Sequence, residues 1–192
     1  MSPILGILAS SKPPAVPNSY ESIATVTVGG GGSATITFSS IPSTYTHLQI
    51  RAIGKNTNAS GAGTNLNLIF NSDSGANYSY HSIYGDGSSA TATSGTSTSL
   101  MWIGHTTTSA SSSPTATNIF APLVTDILDY ANTNKYKTIR TLNGNDTNST
   151  AGYLFFNSGS WRSTAAVTSM TLSNATANFA EYSSFALYGI KG

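Results

Sequence analysis

The side chains that could carry acid–base or metal chemistry are few and lie far apart in this sequence. They are seven carboxylates and three histidines: Glu21, Asp73, Asp86, Asp126, Asp129, Asp146, Glu181, His47, His81 and His105. Two carboxylates at a suitable separation are enough for glycoside hydrolysis, and Asp126 and Asp129 stand three apart in a stretch, 126–130, that would allow one helical turn. We favour the interpretation of this pair as solvated loop carboxylates. A Ser–His–Asp site stays open because its members need not be adjacent, although no Gly-x-Ser-x-Gly motif supports one.

Metal and cofactor sites are not indicated by the spacing of these residues. No two histidines stand at metal-ligand spacing, and the lack of cysteine in the sequence removes the common structural zinc sites. Residues 71–75 and 143–146 are rich in oxygen atoms, yet each offers one carboxylate where calcium generally needs several, so both are predicted to be turns. The glycines at 29–32 lack the Lys-Ser/Thr ending of a phosphate-binding loop. We therefore predict no catalytic residue, no metal, no cofactor and no enzymatic activity.

Charge is scarce along the whole chain. Asp, Glu, Lys and Arg make up 8% of the residues, against roughly 25% in an average globular domain, and the formal net charge is +1. The basic residues are scattered, whereas nucleic-acid binding by counterion release needs clustered cations. No apolar run reaches the ~18 residues of a membrane helix, and the N-terminus lacks the charged start of a signal peptide. The sequence thus predicts neither a nucleic-acid nor a membrane partner.

A two-residue period of apolar side chains dominates the chain from Tyr20 onward and predicts about eleven short strands. The pattern is clear at Leu48, Ile50 and Ala52, which alternate with polar or charged neighbours. The gaps between strands hold Gly, Asn and Asp, which are typical of tight turns. Such a succession of strands and turns favours a sandwich or barrel. We predict an all-β domain over residues 20–192, an antiparallel β-sandwich of jelly-roll-like form.

Local features of this pattern give finer predictions. Residues 20–28 and 34–38 are predicted to pair as a hairpin through the glycines at 29–32. The stretches 88–99 and 106–117 are nearly all Ser, Thr, Ala and Gly, and both are predicted to be long surface loops of the sandwich.

Residues 1–19 differ from the rest of the chain in composition. Their prolines disfavour a regular helix and favour an extended chain. Two interpretations are open: a frayed tail, or an extended N-terminal arm that contacts a neighbouring subunit, and we favour the arm. In the second interpretation the assembly contact is made by four apolar residues, Ile4, Leu5, Ile7 and Leu8.

Aromatic side chains are the remaining candidates for ligand contacts, because their rings can stack on a ligand as well as fill a core. The candidates are Tyr78, Tyr80, Tyr84, Trp102 and Trp161. We predict a core position for Trp102, which lies in a predicted strand, and we leave both interpretations open for Trp161, which follows a predicted turn. Trp161 and Tyr80 are the candidate contacts for a glycan or a protein partner.

Several stretches combine ordinary strand patterns with unusual strings of residues. They are residues 20–30 (YESIATVTVGG), 36–42 (ITFSSIP), 45–51 (YTHLQIR), 70–73 (FNSD), 77–81 (NYSYH) and 185–192 (FALYGIKG). Together they resemble a family of virion proteins of tailed bacteriophages, and the likeness runs across most of residues 20–192. Members of this family are placed on capsid surfaces and in tail fibres. The resemblance implies β-sandwich or jelly-roll modules that assemble into trimers, and it supplies no catalytic residues.

These expectations describe a virion structural protein of a tailed bacteriophage. The first hypothesis is a capsid decoration (cement) protein that stabilises the shell through its β-sandwich and N-terminal arm. Its expected partners are the major capsid protein and further copies of itself in a homotrimer, and its expected location is the capsid surface after synthesis in the host cytoplasm. The alternative is a tail-fibre or tail-tip adhesin that binds a host surface glycan. A hydrolase that uses Asp126 and Asp129 is the least favoured hypothesis.

Overall fold

The computed structural model describes residues 19–59, 61, 63–108, 118–147 and 152–192. These residues form twelve strands: β1 (Tyr20–Thr27), β2 (Thr35–Phe38), β3 (His47–Asn56), β4 (Gly63–Phe70), β5 (Tyr78–Gly85), β6 (Ala90–Thr98), β7 (Met101–Thr108), β8 (Ala121–Leu128), β9 (Lys137–Asp146), β10 (Gly152–Trp161), β11 (Met170–Asn174) and β12 (Ser184–Ile190). Among the described residues, none belongs to a helix with the length and apolarity that a membrane crossing requires.

The strands form two sheets that pack against each other across one core. The larger sheet has eight antiparallel strands in the order β1-β12-β3-β8-β9-β10-β5-β6. The smaller has four antiparallel strands in the order β2-β11-β4-β7. The sheets join at one corner, where Lys55 and Asn56 of β3 pair in parallel with Thr107 and Thr108 of β7. This arrangement confirms the predicted all-β sandwich.

The strand order is that of a jelly roll with an inserted hairpin. When β9 and β10 are set aside, the smaller sheet β2-β11-β4-β7 packs against strands in the order β3-β8-β5-β6, which is the arrangement of two interlocking Greek keys. Strands β9 and β10 lie between β8 and β5, and β1 and β12 extend the sheet beyond β3. The larger sheet is therefore much wider than the smaller sheet that covers its inner face.

The core consists of side chains that alternate inward from both sheets. Ile50, Ile127 and Phe185 of the larger sheet are fully buried, as are Leu68 and Phe70 of the smaller sheet. Burying a side chain of this size stabilises the fold by about 1.5–3 kcal/mol relative to leaving it exposed. The inward alternation predicted from the sequence of β3 is confirmed.

The predicted hairpin of residues 20–28 with 34–38 is wrong. Strand β1 pairs with β12 in the larger sheet, whereas β2 pairs with β11 in the smaller sheet, so the glycines at 29–32 lead the chain from one sheet to the other. Gly32 has a positive φ, and a Cβ there would lie 2.6 Å from the carbonyl oxygen of Phe179. A period of two shows which face of a strand is apolar, but it does not show which strand is the partner.

The Ser/Thr-rich stretch 88–99 contains a strand where a loop was predicted. Strand β6 forms the edge of the larger sheet beside β5 and is exposed along most of its length. Because neither face of β6 is deeply buried, no apolar alternation marks it, and its threonines favour a strand by their own propensity. Of the second predicted loop, residues 106–108 belong to β7, and residues 109–117 lie outside the described part of the chain.

The structure also decides two local points around β8 and β9. The one helical turn that residues 126–130 would allow does not form, because Asp126 lies within β8 and a turn follows the strand. The turn predicted over residues 143–146 is wrong, because these residues continue β9. Asn143 sits there because its side-chain amide donates to the carbonyl of Pro122 on the neighbouring strand (2.8 Å), which satisfies the amide without a turn.

The N-terminal end of the described chain lies at an edge of the larger sheet. The Ser19 carbonyl accepts a hydrogen bond from the backbone N–H of Lys191 (3.0 Å), and β1 pairs on one side with β12. The assembly contacts predicted for the N-terminal arm lie outside the described residues and stay predictions, namely those of Ile4, Leu5, Ile7 and Leu8.

Candidate functional site

An aromatic cleft of about 450 Å³ lies between β4 and β7 of the smaller sheet and β5, β6 and β10 of the larger sheet. Five aromatic rings and one imidazole line it: Tyr80, Tyr84, Trp102, His105, Tyr153 and Phe155. Because the inserted β9–β10 hairpin places β10 next to β5, rings from β5 and β10 share one wall. The volume falls within the range of small-molecule binding sites.

Trp102 is the central ring of the cleft. It contacts the rings of Tyr80, Tyr84 and Phe155 edge to face, with centroids 5.7, 6.4 and 5.5 Å away, which is a favoured geometry for aromatic pairs. Its indole N–H donates to the carbonyl of Gly104 (2.6 Å). Trp102 is buried, so the predicted core position is confirmed, and the same ring lines the cleft.

A β-bulge at Gly104 brings Trp102 and His105 to the same side of β7. Residues three apart in a regular strand point to opposite faces, but the pairing of β7 with β4 shifts register between Gly104 and Trp102. Gly104 has a φ of 139°, and a Cβ there would lie 2.5 Å from the Asn143 side-chain oxygen. The position therefore requires glycine, and the bulge places the two rings 5.5 Å apart.

His105 is a neutral imidazole in this cleft. Its Nε2 lies 2.8 Å from the side-chain oxygen of Asn65, an acceptor, so Nε2 carries the proton. The rings of Phe155 and Tyr153 lie 4.5 and 5.4 Å away. Burial lowers the pKa of His105 to about 4, because a charged imidazole would lose its hydration among these rings.

Polar atoms line the same cleft. Within the part of the chain that the structure describes, the hydroxyls of Tyr80, Tyr84 and Tyr153 have no hydrogen-bond partner, and all three side chains are half-buried. Asp86 also borders the cleft, but one of its carboxylate oxygens accepts the backbone N–H groups of Ser88 and Ser89 (2.9 and 2.7 Å). These hydrogen bonds lower the pKa of Asp86 to about 2, so it closes the β5–β6 turn as a carboxylate.

The two aromatic residues predicted as ligand contacts have different positions. Tyr80 lines the cleft, with its ring over Gly95 of β6, where a Cβ would lie 2.5 Å from the ring. Trp161 is 2% exposed and its indole N–H donates to Asp73 (2.7 Å). Its interpretation as a surface contact is therefore wrong, because it ends β10 inside the core.

The carboxylates that were candidates for a glycosidase pair have separate partners. Asp126 faces outward and accepts hydrogen bonds from Gln49 (2.7 Å) and Arg140 (2.9 Å), whereas Asp129 lies 2.6 Å from Lys135. Burial alone would raise the pKa of Asp126, but the two hydrogen bonds lower it below its usual value. In the described ranges, no three His, Asp or Glu side chains come together as a group that could hold a metal.

A row of exposed apolar side chains crosses the outer face of the larger sheet. Cross-strand pairing places Val124, Leu142, Phe156 and Ile83 opposite one another in this order on β8, β9, β10 and β5. Leu154 lies on the same face of β10, two residues before Phe156. The five side chains are between 36% and 63% exposed. They form the outer apolar patch.

A polar row borders this patch on the same face. It runs through Gln49, Asp126, Arg140, Ser158 and His81, which pair in this order across five strands. The Arg140 guanidinium lies 2.9 Å from the Asp126 carboxylate. Protein–protein interfaces typically have a more apolar centre and a polar rim.

Sequence reasoning missed the outer apolar patch, although one signal for it was present. Residues 153–156 are apolar at every position, and an uninterrupted apolar run is typical of a strand with two apolar faces. Tyr153 and Phe155 line the cleft, whereas Leu154 and Phe156 lie in the patch.

Comparisons with known proteins assign no family to this chain. A scan against protein-family models, a search of the curated proteins and a search of the solved structures each return no match.

Proposed function

We propose that this chain is a structural protein of a tailed-bacteriophage particle, a capsid decoration protein whose copies associate through the outer apolar patch. The observation that carries the proposal is the continuity of the patch across four neighbouring strands. Its side chains lie on a face that the rest of the described chain leaves exposed.

Burying the outer apolar patch against a second copy of the chain is favourable in free energy. Contiguous apolar patches of more than a few hundred Å² are uncommon on monomeric proteins and often mark interaction sites. The five side chains are already partly covered in the single chain, so further burial of each would contribute about 1 kcal/mol. Ordering costs on association reduce the total, but the row is part of a rigid sheet and little ordering is needed.

The size of the outer face fits a stable interface. Eight strands about 4.8 Å apart give a width of roughly 34 Å, and strand lengths of about eight residues give a height of roughly 25 Å. The resulting area of roughly 850 Å² matches the surface that one partner buries in an interface of standard size. The outer apolar patch would form its centre and the polar row its border.

The remaining parts of the proposal follow the phage-family resemblance. The resemblance implies a homotrimer. We assign the contact with the major capsid protein to four residues of the arm, Ile4, Leu5, Ile7 and Leu8. A surface with few charges supports contacts that change little with ionic strength. The proposed location is the capsid surface.

Replacing Ile83, Leu142 and Phe156 by threonine in one variant is expected to abolish self-association. Threonine keeps a high strand propensity, and the three side chains are 52–62% exposed, so the fold is retained. Losing about 1 kcal/mol at each position weakens association by on the order of 100-fold. Sedimentation velocity over a range of protein concentrations measures the change.

The matched control is Tyr136→Thr, which removes a ring that is 56% exposed and lies outside the patch. This variant is expected to associate like the wild type. A wild-type chain that stays monomeric, or a triple variant that associates normally, contradicts the proposal. If deletion of residues 2–17 dissociates the assembly while the triple variant does not, the arm makes the contact between copies.

Deletion of residues 2–17 is expected to lower occupancy on empty capsids of the encoding phage, because it removes the four apolar arm residues. Densitometry of purified particles measures occupancy, and the Tyr136→Thr chain serves as the control. Unchanged occupancy would show that the arm does not bind the chain to the capsid.

A second candidate function is a tail-fibre or tail-tip adhesin that binds a host surface glycan. The aromatic cleft favours it, because rings and free hydroxyls meet there in one concave site. Labelling intact particles with antibodies against this chain separates the two candidates: label on heads supports the decoration protein, and label on tails supports the adhesin.

A further inference from the structure

We propose that the aromatic cleft is a binding site for a neutral saccharide. The site lies on the inner side of the larger sheet, whereas the outer apolar patch lies on its outer side. The inference deepens the second candidate function by naming its ligand class, and it is independent of the proposed assembly, so either can fail without the other.

The hydroxyls of the cleft provide the first argument. Tyr80, Tyr84 and Tyr153 each present a phenol O–H that no described residue hydrogen-bonds, and each can donate and accept. None of the three is a buried unsatisfied atom, so each hydroxyl is open to the cleft and can be reached by a ligand. Three such groups around one cleft suit a ligand with several hydroxyls, which can exchange donor and acceptor roles with them.

The rings provide the second argument. A pyranose has an apolar face of C–H groups, and the electron-rich face of an aromatic ring is complementary to it. Tyr84 and Tyr153 form adjacent half-buried rings, 6.4 Å apart at an angle of 66°, and Phe155 packs behind them at 5.2 and 5.5 Å. The arrangement gives the ligand one apolar contact beside the polar ones.

The described residues that line the cleft carry no charge without a partner, so the site suits a neutral ligand. His105 is neutral and bonded to Asn65, so it offers no cation to an acidic sugar. Asp86 is the carboxylate at the border, and the backbone N–H groups and hydroxyls of Ser88 and Ser89 already donate to it. A quaternary ammonium ion would use ring faces but would leave the three phenol hydroxyls without partners.

The fold holds two of the cleft rings, those of Trp102 and Tyr80, in place. The Trp102 indole is held by the Gly104 carbonyl, and the Tyr80 ring lies between Trp102 and Gly95. A site whose rings are held by the fold loses little freedom when a ligand binds. This part of the cleft is therefore preformed.

The test begins with an array of neutral mono- to tetrasaccharides, followed by calorimetric titration of the neutral sugar that binds best, and of choline and sialyllactose as charged comparisons. The double variant Tyr84→Phe and Tyr153→Phe keeps both rings and removes only their hydroxyls. It is expected to weaken binding at least tenfold. Tyr182→Phe is the matched control, because its ring is 69% exposed on a turn away from the cleft, and its affinity is expected to equal that of the wild type.

Three results would overturn the proposal. They are the lack of binding to every neutral sugar on the array, equal affinity of the wild type and the double variant, and binding of choline or sialyllactose in preference to neutral sugars. Because the titration uses chain whose oligomeric state is measured in the same buffer, a failure here does not count against self-association through the outer apolar patch.

Discussion

Replacing Lys137 by methionine is expected to lower the free energy of unfolding by about 3 kcal/mol. Lys137 is fully buried at the start of β9, and its Nζ donates to the carbonyls of Asn132 (2.6 Å), Lys135 (2.8 Å) and Thr164 (3.2 Å). Methionine fills a similar volume but donates no hydrogen bond. Each carbonyl that loses its partner without gaining water costs about 1–3 kcal/mol, and the removal of a buried charge from its desolvated site returns part of this loss.

Urea denaturation of the two chains at pH 7 measures the difference from the midpoints. Lys135→Met is the matched control. That neighbouring lysine is exposed and pairs with Asp129 at the surface, where an ion pair contributes less than about 1 kcal/mol. Equal stabilities of the Lys137→Met chain and the wild type would show that these three hydrogen bonds do not hold the β8–β9 turn to the loop after β10.

The stability of the fold is expected to fall by about 2 kcal/mol between pH 7 and pH 5 because of His105 alone. Burial lowers its pKa in the folded chain to about 4, against an ordinary value of 6.5. Between these values the unfolded chain binds a proton at His105 and the folded chain does not. The contribution of the neutral His105 to the stability is therefore fully present above pH 6.5 and decreases as the pH falls towards 4.

Urea titrations at intervals between pH 7 and pH 5 measure this slope. His105→Phe keeps a ring beside Phe155 and is expected to remove most of the slope, whatever its own stability at pH 7. The replacement His81→Gln on the exposed outer face is the control and is expected to keep the slope. The hydrogen-bonded carboxylates Asp73 and Asp86 have a lowered pKa, so they contribute below pH 4 and leave this range undisturbed. A wild-type chain with no slope would mean that the His105 ring charges freely in the fold.

Much of the fold was predictable because most strands have one buried face. The alternation of Leu48, Ile50 and Ala52 predicted both the strand and its inward side, and the three side chains are buried. Strand β6 was missed for the opposite reason, since it is exposed along most of its length and leaves no period in the sequence. The pairing of β1 with β12 joins segments at opposite ends of the chain, and a local pattern carries no signal for it.

The candidate site was predictable only in part. Tyr80 was proposed as a ligand contact and lines the cleft, but the other proposed contact, Trp161, is buried against Asp73. Both are aromatic residues in strands, and composition cannot show which end of a strand meets a cleft. Trp102 and His105 lie on the same face of β7 because of the bulge at Gly104. A regular strand would have put the two rings on opposite faces.

Successive side chains of β10 point alternately to the two faces of the larger sheet. Leu154 and Phe156 face outward, whereas Tyr153 and Phe155 face the cleft, so a single strand is shared by two surfaces that lie back to back. Any coupling between the two surfaces through this strand would be reciprocal by thermodynamic linkage. If a sugar altered the oligomerisation constant by some factor, the oligomer would bind that sugar with an affinity changed by the same factor.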